Sequence, residues 1–143
     1  MQIREIMTAG VETVDRQATL MDAARKMKEL DVGLVPVCDG GKLAGIVTDR
    51  DITIRGIAEG CDPEKTTVAD VMSPEVVYCY EDQDVEEAAS LMEAQQIRRL
   101  PIMSRDKRLV GIVSLGDLAV HTGNKALAGE TLKEVSEPAA PKR

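Results

Sequence analysis

Two stretches of the chain carry apolar side chains at helical spacing on a polar background. Each has apolar residues at positions i, i+3, i+4 and i+7, which is the stripe of an amphipathic helix. The first stripe consists of Leu20, Ala23, Ala24, Met27 and Leu30, and the second of Val85, Ala88, Ala89 and Met92. Thr19 with Asp22, and Asp84 with Glu87, have the spacing of a capping box just ahead of each stripe. The pattern therefore predicts two capped helices.

Short runs rich in β-branched and aliphatic residues surround each predicted helix. One run precedes each helix, at 11–14 and 76–80, and two runs follow it. The runs that follow are 34–39 and 43–48 in the first case, and 99–104 and 109–114 in the second. Gly40 and Gly41 can take the positive φ of a tight turn, so these pairs of runs are predicted to form hairpins. Pro36 and Pro101 are expected at sheet edges, because proline cannot donate a ladder hydrogen bond.

The same order of elements occurs twice because the chain contains an internal repeat. A shift of 65 residues places Met7 on Met72, Ala23 on Ala88 and Pro36 on Pro101. A final helix is predicted over about 49–56 and 115–123, so each copy has the order βαββα. We expect an α+β fold of two βαββα repeats, packed with pseudo-two-fold symmetry around one shared core.

The repeat also predicts the domain limits. The first repeat is expected over 1–60, with a connection over about 56–66, and the second over 67–122. The remaining tail, 123–143, is expected to contain a short helix and then a partly disordered end rich in proline, alanine and lysine.

The composition excludes several classes of protein. The chain has 143 residues and a formal net charge of −7, from 18 Lys and Arg against 25 Asp and Glu. Such a chain is poorly suited to a nucleic-acid backbone, and its lack of Phe and Trp removes the usual platforms for base stacking. No apolar run has the roughly 18 residues of a membrane span, and the start does not resemble a signal peptide. A cytoplasmic protein with neither nucleic-acid nor membrane partners is expected.

Cysteine and histidine are too few and too scattered to predict a metal site or a disulfide framework. Cys38, Cys61 and Cys79 contain no CxxC pair, and His121 is the single histidine. Cys38 and Cys79 fall in predicted strands and are expected to be small buried residues. Cys61 lies in the polar connection and is expected to be more exposed, which leaves a redox role open.

The residues with candidate chemistry follow the second hairpin strand of each copy. In the segment GIVTDRD, Thr48 precedes Asp51 by three residues, and in GIVSLGD, Ser114 precedes Asp117 by three. Both pairs have the spacing of a helix capping box, which is a structural role. They also suit a ribose with its 5′ phosphate, because a hydroxyl beside free helix-start amides favours an anion and a carboxylate accepts from ribose hydroxyls. The residues alone leave both interpretations open.

No pattern of residues predicts catalysis. The segment GIVSLG lacks the glycine two places before serine that a GxSxG nucleophile elbow requires. The pair Gly41 and Lys42 is followed by leucine rather than by Ser or Thr, which excludes a Walker A motif. Asp49 and Asp51 are more readily explained as capping or solvent-facing residues than as a metal pair. We therefore expect a protein that is not an enzyme and requires no cofactor.

The tandem order of strand, proline, strand, GIV, hydroxyl residue and aspartate resembles a pair of CBS domains, the regulatory unit called a Bateman module. The resemblance covers about residues 3–120, and the stretch TDRDITIRGIAEGCDP resembles stand-alone CBS-pair proteins of the hypoxic-response type. It implies that adenosyl ligands bind in two clefts, each of which draws on both repeats. The implied residues of the first cleft are Thr48, Asp51, Ile97, Arg98, Arg99, Leu100 and Pro101. Those of the second are Val32, Gly33, Leu34, Val35, Pro36, Ser114 and Asp117, and the segments Thr8 to Val11 and Ser73 to Val76 would flank the adenine.

Arginines distinguish the two implied clefts. Arg50 lies inside the TDRD turn and Arg98 on the facing strand, where either guanidinium can pair with phosphate oxygens. The second cleft has two glycines and a leucine at the matching places, and no comparable cation. We therefore expect the cleft of Thr48 and Asp51 to be the better site for a phosphorylated nucleotide, with solvated surface charge as the alternative role of both arginines.

Two functions remain open from the sequence. The first is a ligand-sensing module that binds AMP, ADP, ATP, NAD or S-adenosylmethionine and so changes the surface shown to a separate regulated protein. The second is a constitutive dimerisation or scaffold module without a nucleotide ligand. The resemblance implies a homodimer formed through the long helices. Its candidate contact residues are Met21, Met27, Leu91 and Met92, which suit a core equally well.

Overall fold

The computed structural model describes residues 1–74 and 76–137, which form an α+β arrangement of short strands and helices. The strands are β1 (Thr8–Ala9), β2 (Val14–Asp15), β3 (Leu34–Asp39), β4 (Lys42–Thr48), β5 (Cys79–Tyr80), β6 (Arg99–Met103) and β7 (Leu109–Ser114). The α-helices are α1 (Leu20–Leu30), α2 (Val85–Gln95), α3 (Leu115–His121) and α4 (Lys125–Ser136). Tighter 3₁₀ turns occupy Ile3–Glu5, Ile57–Glu59 and Val68–Asp70, and a π-helical turn occupies Asp51–Gly56. The α+β prediction with two repeats of strands and helices is confirmed.

These elements form two compact units whose limits differ from those of the repeat. Glu12–Val76 form the first-repeat unit, and Met1–Val11 with the described part of Val77–Arg143 form the second-repeat unit. The segment before β2 therefore belongs to the second-repeat unit. The segment from about 66 to 76, which the repeat alignment assigns to the second copy, belongs to the first-repeat unit.

In the first-repeat unit, α1 packs against a three-stranded sheet of order β2-β3-β4. β2 runs parallel to β3, and β3 runs antiparallel to β4. The predicted capping box is present, because Thr19 and Asp22 each donate a backbone N–H to the other's side chain at 3.1 Å. The helix ends at Asp31, which takes a left-handed φ of 54°. The core of this unit consists of Val14, Leu20, Ala23, Met27, Val35, Val37, Val47, Ile52, Val68, Val71 and Met72.

In the second-repeat unit, a four-stranded sheet of order β1-β7-β6-β5 packs with α2, α3 and α4. The N–H of Asp84 donates to Glu87 Oε2 at 2.8 Å, as the predicted capping box requires. The helix α2 ends at Gln96, again with a left-handed φ, of 53°. The core of this unit consists of Ile3, Ile6, Cys79, Val85, Ala88, Ala89, Met92, Leu100, Ile102, Val113 and Leu118.

The predicted extent of the first strand in each copy is corrected. The runs 11–14 and 76–80 are extended strand over only two residues each, because the chain just before them pairs elsewhere. β1 pairs with β7, and Ser73 forms a bridge with Ile46. The buried side chains of each unit form a cluster of their own.

The prediction that Pro36 and Pro101 lie on edge strands is wrong, since β3 and β6 are interior strands. The N–H of Asp49 bonds to the carbonyl of Gly33 at 3.0 Å, so the alternation of the antiparallel ladder turns the nitrogen of Pro36 away from β4. β2 pairs with β3 only from Val37 onward, and β5 pairs with β6 only beyond Pro101. Each proline nitrogen therefore lies where no backbone carbonyl of a neighbouring strand requires a hydrogen bond from it.

The glycine that begins each GIV segment is required by a backbone that crosses it. A Cβ atom on Gly45 would lie 2.5 Å from the carbonyl oxygen of Ser73, and one on Gly111 would lie 2.7 Å from that of Thr8. The Ser73 N–H bonds to Ile46 O at 2.9 Å and the Ile46 N–H bonds to Ser73 O at 3.1 Å, which holds the first crossing in place. Pairing of β1 with β7 holds the second.

The three cysteines differ in how far their burial matches the expectation. Cys79 is buried, as predicted, and burial raises the pKa of its thiol to about 11. Cys38 is only half-buried, because it lies near the end of β3, next to exposed Asp39. Cys61 is also half-buried rather than exposed, since it packs against the core of the first-repeat unit beside Gly56.

Two of the four residues proposed for helix-mediated dimerisation are core residues. Met27 and Met92 are 6% and 0% exposed within their units, which corrects their assignment to a contact surface. Met21 and Leu91 are half-buried and keep some accessible surface.

A short helix occupies the tail, where one was expected. The predicted disordered end, 138–143, lies outside the described residues. Over the residues that are described, no helix combines the length and apolar character needed to cross a membrane.

Candidate functional site

In the first-repeat unit, Thr48 and Asp51 form a capping box at the end of β4. The N–H of Asp51 donates to Thr48 Oγ1 at 3.1 Å, and the N–H of Thr48 donates to Asp51 Oδ2 at 2.9 Å. Asp51 Oδ1 lies 3.9 Å from Arg55 Nε, and Arg55 also donates from Nη1 to the carbonyl of Val71 at 3.3 Å. The structural interpretation of the pair is confirmed, and one carboxylate oxygen is left facing an arginine.

Ser114 and Asp117 form the same arrangement in the second-repeat unit. The N–H of Asp117 donates to Ser114 Oγ at 3.0 Å, and the N–H of Ser114 donates to Asp117 Oδ2 at 2.8 Å. Asp117 Oδ1 lies 4.0 Å from His121 Nε2. Ser114 Oγ uses an acceptor position in this box, so its hydroxyl hydrogen is still available to a ligand.

Arg98 and Arg99 lie beside Ser114 within the second-repeat unit. Arg99 is opposite Ser114 in the register of β6 with β7, and the N–H of Leu115 donates to the carbonyl of Arg98 at 2.8 Å. The expectation that the Ser114 segment has no nearby cation is therefore wrong, because strand pairing brings two consecutive arginines to it. Arg50, the other arginine singled out, is exposed in the first-repeat unit.

A cavity of about 470 Å³ lies between these arginines and α4. Its lining combines two arginines and a serine with small and apolar residues. The lining residues are Arg98, Arg99, Ser114, Leu115, Gly116, Ala119, Ala128, Gly129 and Leu132. In the part of the chain that the structure describes, neither arginine forms an ion pair within the protein. The volume falls within the range of roughly 300–1,000 Å³ that is usual for small-molecule pockets.

A second cavity, of about 500 Å³, lies along α2 and differs in character. Two glutamates line it, and it contains none of the residues that the sequence singled out for ligand binding. Its lining consists of Tyr78, Cys79, Gln83, Glu86, Glu87, Ser90, Leu91 and Ala94.

Several predicted site residues are buried and cannot offer their side chains to a ligand. Val35 and Leu100 are 1% and 0% exposed and belong to the two cores, and the adjacent Pro36 and Pro101 are buried as well. Their neighbours on the preceding turns are more accessible. Val32 is exposed, and Gly33, Leu34 and Ile97 are half-buried.

Gly33 lies close to the side chain of Asp49, the aspartate that follows Thr48. A Cβ atom at this position would lie 3.0 Å from Asp49 Oδ2, so a larger residue would displace that carboxylate. Leu34 lies opposite Thr48 in the register of β3 with β4, as Arg99 lies opposite Ser114 in the other unit. The two repeats thus place Leu34 and Arg99, the first residues of β3 and β6, at matching positions.

The segments expected to flank an adenine pair with β4 and β7, the two strands that end at the capping boxes. Thr8 pairs with Ile112 on β7, two residues before Ser114, and Ser73 bridges Ile46 on β4, two residues before Thr48. Val11 and Val76, at the far ends of these segments, are half-buried. Each unit therefore brings one crossing segment and one hydroxyl–aspartate pair to the same strand.

The comparison with known families decides which class of protein this is. The model of the CBS domain matches residues 3–55 and again residues 68–121. The chain belongs to the CBS-domain family. Its two matches are the two repeats that the sequence pattern predicts, and the prediction of a tandem CBS pair is confirmed.

Curated relatives match this chain over nearly its whole length. CBS domain-containing protein YhcV of Bacillus subtilis is 44% identical over 134 residues, which cover 94% of each chain. Hypoxic response protein 1 of Mycobacterium tuberculosis is 39% identical over 138 residues, which cover 96% of this chain and 95% of that protein. The resemblance to the hypoxic-response type is thereby confirmed.

Solved CBS structures superpose well on this chain. Hypoxic Response Protein I, solved with two coordinated zinc ions, has a TM-score of 0.77 at 41% identity, covering 85% of this chain and 98% of that one. The CBS domain pair of protein MJ0100, in complex with 5′-methylthioadenosine and S-adenosyl-L-methionine, has a TM-score of 0.76 at 28% identity, covering 87% and 98%. At least one relative of the same fold thus binds adenosyl compounds.

Sequence reasoning missed three contributors to the CBS site. Arg55 and His121 each lie four residues after the repeated aspartate, a helical spacing that would have identified both. α4 lies beyond both CBS matches and still lines the arginine cavity. Its start was detectable, since Asn124 is a good helix N-cap and accepts from the N–H of Leu127 at 2.9 Å.

Within residues 1–74 and 76–137, no three histidine, cysteine, aspartate or glutamate side chains are grouped to hold an ion. The zinc ions of the related hypoxic response protein therefore have no counterpart cluster in the described part of this chain.

Proposed function

We propose that this CBS pair is a regulatory module that senses an adenosyl compound and thereby changes the surface it presents to a separate protein. Membership of the CBS family supports a ligand-binding role, and MJ0100 is a relative solved with two adenosyl compounds. The proposal treats the chain as a binding protein rather than an enzyme, with the regulated activity on another chain.

The observation that carries the proposal is the cavity beside Arg98 and Arg99. Against a formal net charge of −7, two adjacent guanidinium groups without ion-pair partners in the described chain are a local exception. A charge-assisted hydrogen bond from arginine to a phosphate is among the stronger polar contacts in proteins. The hydroxyl of Ser114 is a further donor within the same cavity.

The apolar part of the cavity suits the base of an adenosyl ligand. Leu115, Ala119 and Leu132 line it together with the polar residues. A purine can be bound by aliphatic contact and by backbone groups that read its edge, so the absence of Phe and Trp does not exclude it. The cavity therefore offers both polar and apolar lining residues, as a nucleotide requires.

The matching residues of the first-repeat unit are proposed as a second ligand position. It would use Val32 to Pro36, Ser73 and Val76 with Thr48, Arg50 and Asp51. Here the cation nearest the repeated aspartate is Arg55, which is held between Asp51 and the carbonyl of Val71. Because that arginine is already engaged, we expect this position to bind a phosphorylated compound more weakly than the Arg98 cavity, which reverses the order expected from the sequence.

One observation favours a scaffold without a ligand as the alternative. In both repeats the hydroxyl and the carboxylate already satisfy each other's backbone amides, at 2.8 to 3.1 Å. These residues thus have a complete structural role without any nucleotide. A constitutive dimerisation module would need nothing more from them.

Assembly and location complete the proposal. We infer a homodimer, with Met21 and Leu91 as the accessible candidates on the long helices. The three cysteines are free thiols, which suits a reducing cytoplasm rather than an oxidising compartment. AMP, ADP, ATP, NAD and S-adenosylmethionine are the candidate ligands, none of them a cofactor needed for folding.

A thermal-shift panel of these five compounds separates the two functions. A ligand at 100 times its dissociation constant should stabilise the fold by about 2.7 kcal/mol. For a domain of this size, that corresponds to a rise in melting temperature of roughly 5–10 °C. We expect at least one adenine nucleotide to produce it.

Guanosine and its monophosphate serve as the controls for nonspecific stabilisation. No shift with any adenosyl compound, together with flat titration calorimetry, would overturn the sensor function and favour the scaffold. An equal shift with guanosine monophosphate would show that the adenine is not recognised.

A further inference from the structure

α4 is anchored to the second-repeat unit although it lies beyond both CBS matches. Thr131 is fully buried, and its hydroxyl lies 2.8 Å from Leu127 O and 3.2 Å from Glu93 Oε1 on α2. Gln96, at the end of α2, donates from Nε2 to the carbonyls of Glu134 and Glu137, at 3.4 and 3.1 Å. The helix is therefore held by specific polar contacts rather than lying loosely on the surface.

The face of α4 toward the arginine cavity carries small residues. Ala128 and Gly129 line the cavity with Leu132. A Cβ atom on Gly129 would meet no heavy atom within 4 Å, so close helix packing does not require glycine here. Glycine inside a helix lowers the stability of the helix by about 1 kcal/mol relative to alanine, and at position 129 no closer packing compensates for that loss. Glycine at this position does, however, leave room in the cavity.

We propose that α4 is the third wall of a binding site for a phosphorylated adenosyl compound, and that Gly129 sets the room available to that ligand. This inference rests on the proposed function and assigns the ligand class and a specificity-determining residue. Arg98 and Arg99 favour an anionic phosphate at one end of the cavity. S-adenosylmethionine carries sulfonium and ammonium cations against a single carboxylate, so the same arginines disfavour it.

The proposal makes ligand binding sensitive to a segment outside the CBS repeats. A side chain added at Gly129 would enter the cavity without disturbing the core, since it starts from open space. A larger apolar side chain at Glu130, the next residue on α4, would not, because Glu130 does not line the cavity. Gly129 and Glu130 are therefore a matched test position and control position on the same helix.

The test is titration calorimetry with AMP on the full chain and on Gly129→Ala, Gly129→Leu and Glu130→Leu. We expect Gly129→Leu to weaken AMP binding about tenfold or more, as overfilling a packed site commonly does. Gly129→Ala should have a smaller effect, and Glu130→Leu should bind like the wild type. Both glycine variants should melt at or above the wild-type temperature, because they improve helix propensity, so lost binding cannot be ascribed to unfolding.

The outcomes separate this inference from the proposed function. If AMP binds, Arg98→Ala/Arg99→Ala loses binding and Gly129→Leu binds normally, the α4 wall is wrong while the sensor function stands. If AMP binds and neither variant is affected, the ligand lies elsewhere and the inference is overturned. S-adenosylmethionine binding as tightly as AMP would overturn the phosphate preference. If no adenosyl compound binds to the wild type, both proposals are overturned.

Discussion

Replacing Gly45 with alanine tests the crossing that positions the strand leading to Thr48. The added Cβ atom would lie 2.5 Å from the carbonyl oxygen of Ser73, against an ordinary contact of 3.4 Å or more. The obstacle is backbone, so it cannot be relieved by rotating a side chain. The two segments must separate by about 0.9 Å for the alanine to fit.

The size of the effect follows from what that separation breaks. The hydrogen bonds between Ile46 and Ser73, now 2.9 and 3.1 Å, would stretch beyond hydrogen-bonding distance. Each is worth about 0.5–1.5 kcal/mol net, and strain from overpacking commonly costs about 1–3 kcal/mol. We therefore expect Gly45→Ala to lower the free energy of unfolding by about 2–6 kcal/mol, and the melting temperature by roughly 5–20 °C.

Urea denaturation measures this free energy directly, with Gly129→Ala as the matched control. Gly129 is also a glycine without a positive φ, but its Cβ atom would meet open space inside α4. Alanine there should raise stability by about 1 kcal/mol through helix propensity. The steric argument is refuted if Gly45→Ala unfolds within 0.5 kcal/mol of the wild type, or if both variants shift in the same direction.

Three further predictions address caps, burial and the tail. Asp51→Ala and Asp117→Ala each remove a capping carboxylate and should cost about 1 kcal/mol in urea denaturation; no loss in either would contradict the capping boxes seen here. Burial raises the pKa of Cys79 from 9.0 to about 11, so its neutral thiol stabilises the fold fully below pH 9, and that contribution is lost as the pH rises toward 11. The melting temperature should therefore fall less between pH 8 and pH 11 in Cys79→Ala than in the wild type, and equal falls would count against this burial. Thr131→Val removes the hydroxyl that faces Glu93, so hydrogen exchange should accelerate in α4 and not in α1; unchanged α4 protection would be the opposite result.

The helices could be predicted because their signals are local. The apolar stripe that starts at Leu20 reports which face of α1 is buried, and Thr19 and Asp22 specify where the helix begins. The stripe from Val85 does the same for α2. Such patterns require only residues within one or two turns, and those residues are adjacent in the sequence.

The strand partners could not be predicted, because they depend on residues far apart in the chain. β1 is two residues long and pairs with β7, about a hundred residues later. Nothing in the run Thr8–Ala9 encodes that partner. The same dependence on distant partners explains why the prediction of an edge strand for Pro36 is wrong. An interior strand can accept a proline wherever the neighbouring strand is too short to pair with it.

The position of the cations shows how register affects a site prediction. The resemblance to the family assigned Arg98 to the residues around Thr48. The ladder between β6 and β7 brings it beside Ser114, in a cavity that α4 also lines. Register sets which side chains share a surface, and neither composition nor spacing specifies it across a hairpin of this length.

The most direct test of the ligand-sensing account is calorimetric titration of AMP into the wild type and into Arg98→Ala/Arg99→Ala. The control is Arg105→Ala/Arg108→Ala, which removes the same charge from exposed positions of the second-repeat unit, away from the cavity. The account predicts saturable binding to the wild type and the control, and a loss of affinity of about tenfold or more in the cavity variant. Absence of binding to the wild type, or equal binding to all three proteins, would contradict it.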